Sequence, residues 1–119
     1  MKLFLPYPVS TNRYWRKFRN MIVVSAEAKA YKQHAAIVAV MAGVKVSAEP
    51  VHAIIVLHPR RNKDGTASKT IVDIDNCIKV IFDSLNGVVW VDDKQVKKLW
   101  VSYGEPLEAG GLSLELLPL

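Results

Sequence analysis

Four aspartates in two short clusters are the residues of this chain best suited to chemistry. Asp73 and Asp75 are separated by one residue, and Asp92 and Asp93 follow about one helix length later. Mg²⁺ prefers hard oxygen ligands and usually takes only one or two carboxylates from a protein, leaving its other positions to water and substrate phosphate. The two clusters therefore predict a magnesium site for phosphate chemistry, provided that the chain returns antiparallel after the intervening helix.

A lysine stands close to these acids. Lys79 comes one helical turn after Asp75, so the two side chains can share a helix face. There the ammonium group could stabilise negative charge that develops on a phosphate, while a metal-activated water needs no further side chain. Ordinary interpretations remain open: Asp73 could cap the helix, Asp75 and Lys79 could be a surface pair, and residues 92–93 could form a turn. Asp83, two turns beyond Asp75, is interpreted as a solvated partner of Lys79.

The chain is basic, and its cations are clustered. It holds 16 lysines and arginines against 11 acids, a net charge of +5, and eleven of the cations fall in residues 13–19, 60–69 and 94–98. Such clusters bind phosphates without reading base sequence, and aromatic side chains among them can stack on unpaired bases. The alternative for the aromatics is packing against a sheet edge. The predicted nucleic-acid contacts are Arg13, Tyr14, Trp15, Arg16, Lys17, Arg19, Arg60, Arg61, Lys63 and Lys69.

Length and composition restrict the class of protein. With 119 residues, 50% of them hydrophobic, the chain can build one core and predicts a single domain over residues 1–119. Its one cysteine, Cys77, is expected to be a small packing residue; it excludes an intramolecular disulfide and fits a reducing cytoplasm. No apolar run approaches the ~20 residues that span a bilayer, and the apolar start is too short for a signal peptide. We therefore expect a soluble, cytoplasmic protein with no membrane partner.

Apolar segments bounded by glycine and proline predict strands before, between and after two helices. The predicted fold is α+β: a single two-layer α/β domain, with a mixed sheet and the helices packed on one face. Strand order is not readable from the pattern. The predicted strands are residues 2–5, 21–24, 51–57, 98–103 and 112–116, and the predicted loops include residues 10–20 and 59–70.

Each predicted helix has an apolar stripe. The first begins after Ser25, which can cap it, and ends near Gly43. Its expected apolar positions are Ala30, Tyr31, His34, Ile37, Val38 and Met41. The second ends at Asn86 and Gly87, and the first acidic cluster lies beside its apolar stripe. That stripe is Ile74, Ile78, Ile81, Phe82 and Leu85.

The acidic clusters resemble those of a known family. Residues 73–76 read Asp-Ile-Asp-Asn, Lys79 and Asp83 follow at matching offsets, and residues 91–96 complete the pattern. Together with the proline, serine, asparagine and aromatic run of residues 5–14, this resembles the RusA family of Holliday-junction resolvases over nearly the whole chain. One departure is that Thr-Ile-Val precedes the first aspartate, where basic residues are common in the family.

The resemblance implies a small homodimeric endonuclease, often phage or prophage encoded, that depends on Mg²⁺, with Mn²⁺ as a substitute. Such enzymes nick four-way DNA junctions symmetrically in recombination and repair, and leave ligatable duplexes. Carried over by motif, Asp73, Asp75 and Asp93 would be the essential metal-binding carboxylates and Lys79 the catalytic cation, with a lesser role for Asp92. A twofold dimer also suits a roughly twofold junction in which two strands must be cut.

Two functions of other classes remain open. A catalytically silent protein that binds branched DNA would use the acids as caps, and Asp75→Asn would leave its function intact. A Mg²⁺-dependent phosphatase of the haloacid-dehalogenase kind would carry residues 71–75 as a DxD motif at the end of a strand. The short chain and the helical periodicity after Asp75 count against the phosphatase.

Overall fold

A computed structural model describes residues 1–119, except for the side chains of Thr11 and Asn12. The strands are β1 (Lys2–Leu5), β2 (Trp15–Phe18), β3 (Met21–Val24), β4 (Val51–His58), β5 (Val96–Tyr103) and β6 (Gly111–Pro118). The helices are α1 (Thr11–Tyr14), α2 (Ala26–Met41) and α3 (Ile74–Leu85), and a 3₁₀ turn follows at Asp93–Gln95. The predicted α+β class and the five predicted strands are confirmed, with small differences in strand bounds.

Four strands form a mixed sheet in the order β1-β6-β4-β5. β4 lies parallel to β5 and antiparallel to β6, and β1 is antiparallel to β6. One face of β4 is wholly apolar, and the other carries Ile54 and Val56 between His52 and His58. β1 is an edge strand, as expected from Pro6 and Pro8 just after it. The remaining strands, β2 and β3, pair separately.

α2 and α3 pack on one face of this sheet, as predicted. The residues of β4 that face them are Val51, Ala53, Ile55 and Leu57, all of them buried. Their partners on the helices include Tyr31, Ala35, Ala39, Cys77, Ile81 and Leu85. Cys77 is fully buried and is the packing residue that we expected. In the described part of the chain, no helix is long and apolar enough to span a membrane.

The predicted apolar face of α2 is largely wrong. Of the predicted set only Tyr31 is fully buried, and the exposed members are Ala30, His34, Ile37 and Met41. The helix instead buries Ala28, Tyr31, Ala35 and Ala39. Alanine lets a helix approach its neighbours closely, so a face built on it is missed when large apolar residues define the stripe.

The predicted stripe of α3 is confirmed at its C-terminal end only. Ile81 and Leu85 are buried, whereas Ile74, Ile78 and Phe82 are half-buried. The helix is rotated so that three other residues also face inward: Cys77, Val80 and Ser84. This rotation leaves part of the apolar stripe at the border between the core and the polar face.

The segment predicted as a loop, residues 10–20, is mostly regular, and that expectation was wrong. α1 is a single turn, and β2 pairs with β3 as an antiparallel hairpin in which Trp15 faces Val24 and Phe18 faces Met21. The two-residue connection is Arg19-Asn20, with Arg19 in the left-handed region at φ 57°. β2 was not predicted because its sequence is rich in cations, although all of its cross-strand partners in β3 are apolar.

The opposite face of the sheet carries exposed apolar side chains. Phe4, Trp100 and Leu117 are exposed there, and Ile54 and Val56 are half-buried. Trp100 contacts His52 edge to face, with their ring centroids 4.7 Å apart. The sheet is thus covered by helices on one side and open on the other.

Ser25 ties the hairpin to α2. Its Oγ accepts a hydrogen bond from the Ala28 amide at 3.2 Å and donates one to the Arg13 carbonyl at 2.7 Å.

Loss of an N-cap hydroxyl typically costs about 1 kcal/mol, so we expect Ser25→Ala to lower the free energy of unfolding by that amount in urea titrations. The matched control is Ser102→Ala, at an exposed position of β5. Equal stability of the two variants would contradict this role of Ser25.

Candidate active site

α3 begins at the first acidic cluster. Asp73 is its N-cap residue, but the Asp73 side chain makes no capping hydrogen bond. Asp75 lies in the first turn, where the helix dipole favours an anion. Residues 68–73 of the described chain hold no strand, so the strand that a phosphatase DxD motif requires is missing. Neither capping nor a strand-borne motif accounts for the Asp73 carboxylate.

One open cavity of about 580 Å³ brings most of the predicted site together. It is lined by Asp75, Ile78, Lys79, Phe82, Asp83 and Asp93. Asp75, Lys79 and Asp83 recur at intervals of four residues and therefore share one face of α3. Asp93 comes back to this face from the segment after the helix, as we expected from the tight stop at Asn86 and Gly87.

A chain of hydrogen bonds holds Asp93. Trp90 is fully buried, and its Nε1 donates to Asn86 Oδ1 at 2.7 Å. Asn86 Nδ2 donates in turn to Asp93 Oδ2 at 3.2 Å. A buried indole needs a partner for its N–H, and Trp90 finds it in the side-chain amide of Asn86. The same hydrogen bond orients that amide, which in turn orients the Asp93 carboxylate. Phe82 packs edge to face on Trp90, with ring centroids 5.5 Å apart.

Asp83 lies in the same cavity and is half-buried. Burial raises the pKa of its carboxyl and the nearby Asp93 carboxylate raises it further, whereas Lys79 and Lys32 act in the opposite direction. Lys79 therefore acts on Asp83 as we expected of a partner, but Asp83 is half-buried rather than solvated. A carboxylate that raises the pKa of a neighbouring carboxyl does so through its negative potential, which also attracts a cation.

Lys79 is available for an anion. Its side chain is exposed, and among the described residues the one ion pair joins Lys2 Nζ to Glu115 at 3.8 Å. The surface-pair interpretation of Asp75 and Lys79 is thus not realised. An ammonium group on the wall of an acidic cavity can bind a phosphate oxygen that enters it.

Asp73 lines a neighbouring cavity of about 480 Å³. Tyr7, Arg13, Arg60 and Asn76 are among the other residues around it. Among the described side chains, no three histidines, cysteines or acids are close enough together to hold a metal ion. The structure therefore brings Asp75 and Asp93 together and places Asp73 at the adjoining cavity.

Two tyrosines hold the peptide that precedes Asp73. The Val72 amide donates to Tyr7 Oη at 2.8 Å, and Tyr103 Oη donates to the Val72 carbonyl at 3.3 Å. Tyr7 follows β1 and Tyr103 ends β5, which are the two edges of the sheet. Gly110 leaves room for the first tyrosine, since a Cβ there would lie 2.7 Å from Tyr7 Cδ2.

Asp92 has a structural role. Its carboxylate accepts a hydrogen bond from the Lys94 amide at 2.8 Å, and its own amide donates to Gln95 Oε1 at 2.9 Å, which forms a capping box on the 3₁₀ turn. Gln95 Nε2 also donates to the carbonyls of Ser47 and Glu49. The two adjacent acids thus differ: Asp92 shapes the turn, and Asp93 points to the cavity.

The predicted nucleic-acid contacts are nearly all exposed. Tyr14 is the exception, because it packs with Ala28 and Val80, and burial raises the pKa of its hydroxyl, with a smaller effect of Asp83. The Arg60 guanidinium lies 4.1 Å above the centre of the Tyr7 ring. The exposed set is Arg13, Trp15, Arg16, Lys17, Arg19, Arg60, Arg61, Lys63 and Lys69.

Sequence reasoning missed four residues that shape the site. Asp83 carried a signal, since it stands four residues after Lys79 and eight after Asp75. Asn86 was placed on the polar face of the helix and interpreted as part of its stop, and its contact with the returning chain was not predicted. The tyrosines at positions 7 and 103 carried none, because their contacts join parts of the chain that are far apart in sequence.

Comparison with known proteins gives one consistent result. Residues 6–111 match the model of the family described as Endodeoxyribonuclease RusA. The chain is similar to a crossover junction endodeoxyribonuclease RusA of Escherichia coli, 38% identical over 95 residues that cover 77% of this chain and 72% of the relative. A second Escherichia coli protein of that name is 36% identical over 112 residues and 87% of each chain. A protein of that name from Enterobacteria phage 82 is 36% identical over 95 residues, covering 77% of this chain and 72% of the relative.

Cys77 is expected to be chemically inert in the folded protein. Burial raises the pKa of its thiol to about 11, and the Asp75 carboxylate adds to the shift. With so high a pKa, only about one thiol in 1,000 is ionised at pH 8, and the thiolate is the reactive form. We expect a disulfide reagent at pH 8 to leave the Cys77 thiol of the folded protein unmodified. In the same time it should modify this thiol completely in the urea-unfolded protein. Rapid reaction of the folded chain would contradict this.

Proposed function

This chain belongs to the endodeoxyribonuclease RusA family, and on that premise we propose that it resolves four-way DNA junctions by paired, symmetric nicks. The observation that carries the proposal is the cavity in which Asp75, Lys79 and Asp93 meet. It combines carboxylate oxygens for a metal ion with a cation for a phosphate, and hydrolysis of a phosphodiester uses both. We expect the reaction to serve DNA recombination and repair in the cytoplasm.

The donor chemistry of the cavity fits Mg²⁺, with Mn²⁺ as a substitute. Asp75 and Asp93 offer the carboxylate oxygens that such hard ions prefer, and Asp83 adds negative charge to the same wall. We propose Asp73, at the N-cap of α3, as a third ligand, which requires its carboxylate to turn toward Asp75 and Asp93, because no three acids of the described residues are close enough to hold an ion as they stand. When bound, a divalent ion supplies an activated water and a polarised phosphate oxygen.

The other groups of the cavity orient and bind. Lys79 holds a non-bridging oxygen of the scissile phosphate and stabilises charge that develops on it. Asn86 and Trp90 keep the Asp93 carboxylate directed into the cavity. Ile78 and Phe82 form an apolar part of the wall, which limits the water that competes for the phosphate.

The exposed cations bind the backbone phosphates of the junction arms. Residues 13–19 and 60–69 carry eight of them, and Arg13 and Arg60 border the cavity next to Asp73. Cations in such clusters bind backbone phosphates irrespective of base sequence, with an affinity that falls steeply as salt rises. Selectivity for a branched substrate therefore has to come from the shape of the surface rather than from base contacts.

The proposal is tested on a synthetic four-way junction and a linear duplex of the same sequence. We expect paired nicks on the junction alone, in Mg²⁺ or Mn²⁺ and not in EDTA. Asp73→Asn, Asp75→Asn and Asp93→Asn should each lower cleavage by at least about 100-fold, a loss typical for removal of a group that stabilises the transition state. Binding in EDTA should be kept or tightened, because each change removes negative charge near phosphate.

Asp92→Asn is the matched control, because asparagine also caps helices well and Asp92 points away from the chemistry. Its cleavage rate should stay within about threefold of the parental rate, because asparagine keeps the cap and Asp92 does not line the cavity. Lys79→Ala should cleave slowly while melting at the parental temperature. Tight junction binding by the parental protein without any nicks would support the silent binder instead, and no binding at all would exclude both functions.

We further propose that the protein acts as a homodimer, joined through the open face of the sheet. Two opposed strands must be cut in one encounter, which calls for two cavities, and Phe4 and Trp100 leave an apolar surface uncovered there. Light scattering after size exclusion should give twice the chain mass of 13.3 kDa. Trp100→Glu should give single-chain mass and unpaired nicks, because a charge would be buried at the interface. A parental protein of single-chain mass would exclude the dimer.

A further inference from the structure

The β2–β3 hairpin presents apolar side chains to solvent at its free end. Phe18 faces Met21 in the last pair before the turn, and Lys17 faces Ile22 in the pair before it. Phe18 is 47% exposed, Met21 61% and Ile22 76%. Exposed apolar residues that lie together, rather than singly, are typical of a surface that meets a partner.

The charge on this hairpin indicates which partner it fits. Residues 13–24 contain four cations and no acid. The guanidinium carbons of Arg16 and Arg19 lie 5.6 Å and 5.4 Å from the centre of the Phe18 ring, so two cations lie directly beside the apolar tip. This arrangement fits DNA, in which phosphates lie on each side of the stacked bases. An apolar side chain of a protein can enter between two bases while cations bind the phosphates on each side.

The base of the hairpin is fastened to the elements that carry the candidate active site. Tyr14, just before β2, is buried with Val80 of α3 and Ala28 of α2. Just after β3, the Ser25 amide donates to the Tyr14 carbonyl at 2.7 Å, and Ser25 Oγ donates to the Arg13 carbonyl at 2.7 Å. Both ends of the hairpin are thereby clamped, and the position of the tip is set relative to the helix that bears Asp75 and Lys79.

We propose that the β2–β3 hairpin is a wedge that inserts Phe18 and Met21 among unstacked bases at the branch point of the DNA junction. Arg16, Lys17 and Arg19 hold the phosphates on each side of the insertion. This inference rests on the proposed function for its substrate, although the wedge needs only branched DNA and not its cleavage. A second copy of this chain is a poorer match, because each hairpin carries four cations and no acid. An acidic protein would match the charge, but it offers no stacked bases for the apolar tip to enter.

The wedge is tested with a four-way junction that carries 2-aminopurine beside the branch point, in EDTA so that nothing is cut. Unstacking of this base raises its fluorescence, and we expect the full-length parental protein to raise it. The variant Phe18→Ala/Met21→Ser should leave the fluorescence unchanged and bind the junction about tenfold more weakly, the loss expected for one stacked base. Its binding to linear duplex should be unchanged. Phe18→Trp/Met21→Ser should restore the fluorescence, because tryptophan also stacks.

Ile37→Ala/Met41→Ser is the matched control, since it removes two exposed apolar side chains from α2 and should behave as the parental protein does. Parental fluorescence and affinity in the tip variant would overturn the wedge, and so would a change of solution mass in that variant, which would assign the tip to a second copy. Nicking of the junction in Mg²⁺ separates the two proposals. A parental protein that nicks without unstacking rejects the wedge alone, whereas one that unstacks through Phe18 without nicking rejects only the proposed function.

Discussion

The packing of α3 is the constraint on which the candidate active site depends. Ile81 and Leu85 hold the helix against the sheet, and Val80 holds it against the base of the hairpin. With those sides buried, the strip that bears Asp75 and Lys79 is the one left to solvent. Turning the helix by one residue, about 100°, would bury an unpaired charge, which costs several kcal/mol. The core therefore determines which face of α3 carries the candidate active site, because its other faces are buried.

Much of this could be predicted from α3 and its stop, because the information is local. Apolar periodicity found the helix, glycine after asparagine found its end, and the return of Asp93 to the same side followed from the tight stop. The rotation of the helix could not be predicted, since it depends on the burial of small residues such as Cys77 and Ser84. The spacing of four residues placed Asp83 on the face of Asp75 and Lys79, but its partial burial could not be predicted from that spacing.

Other parts of the site depend on contacts that no local pattern records. The orientation of Asp93 depends on a buried indole, and the peptide before Asp73 depends on hydroxyls from both edges of the sheet. Only the second strand of the hairpin was predicted, and the first was missed because its cations resemble those of a loop. The different positions of Asp92 and Asp93 also could not be predicted from the local pattern. The two residues are adjacent and identical in type, but only Asp92 caps a turn and only Asp93 lines the cavity.

The hydrogen bonds to Val72 also separate two parts of the chain that are adjacent in sequence. Upstream lies the exposed, cation-rich segment of residues 60–69, which bonds to itself through pairs such as Asn62 with Thr66. Downstream lies the helix that carries the acids. Because Tyr7 and Tyr103 fix the peptide at the boundary, the upstream segment can gain, lose or exchange residues without displacing Asp73. Such a chain can evolve a new exposed surface on one side of this boundary while the acidic residues on the other side keep their positions.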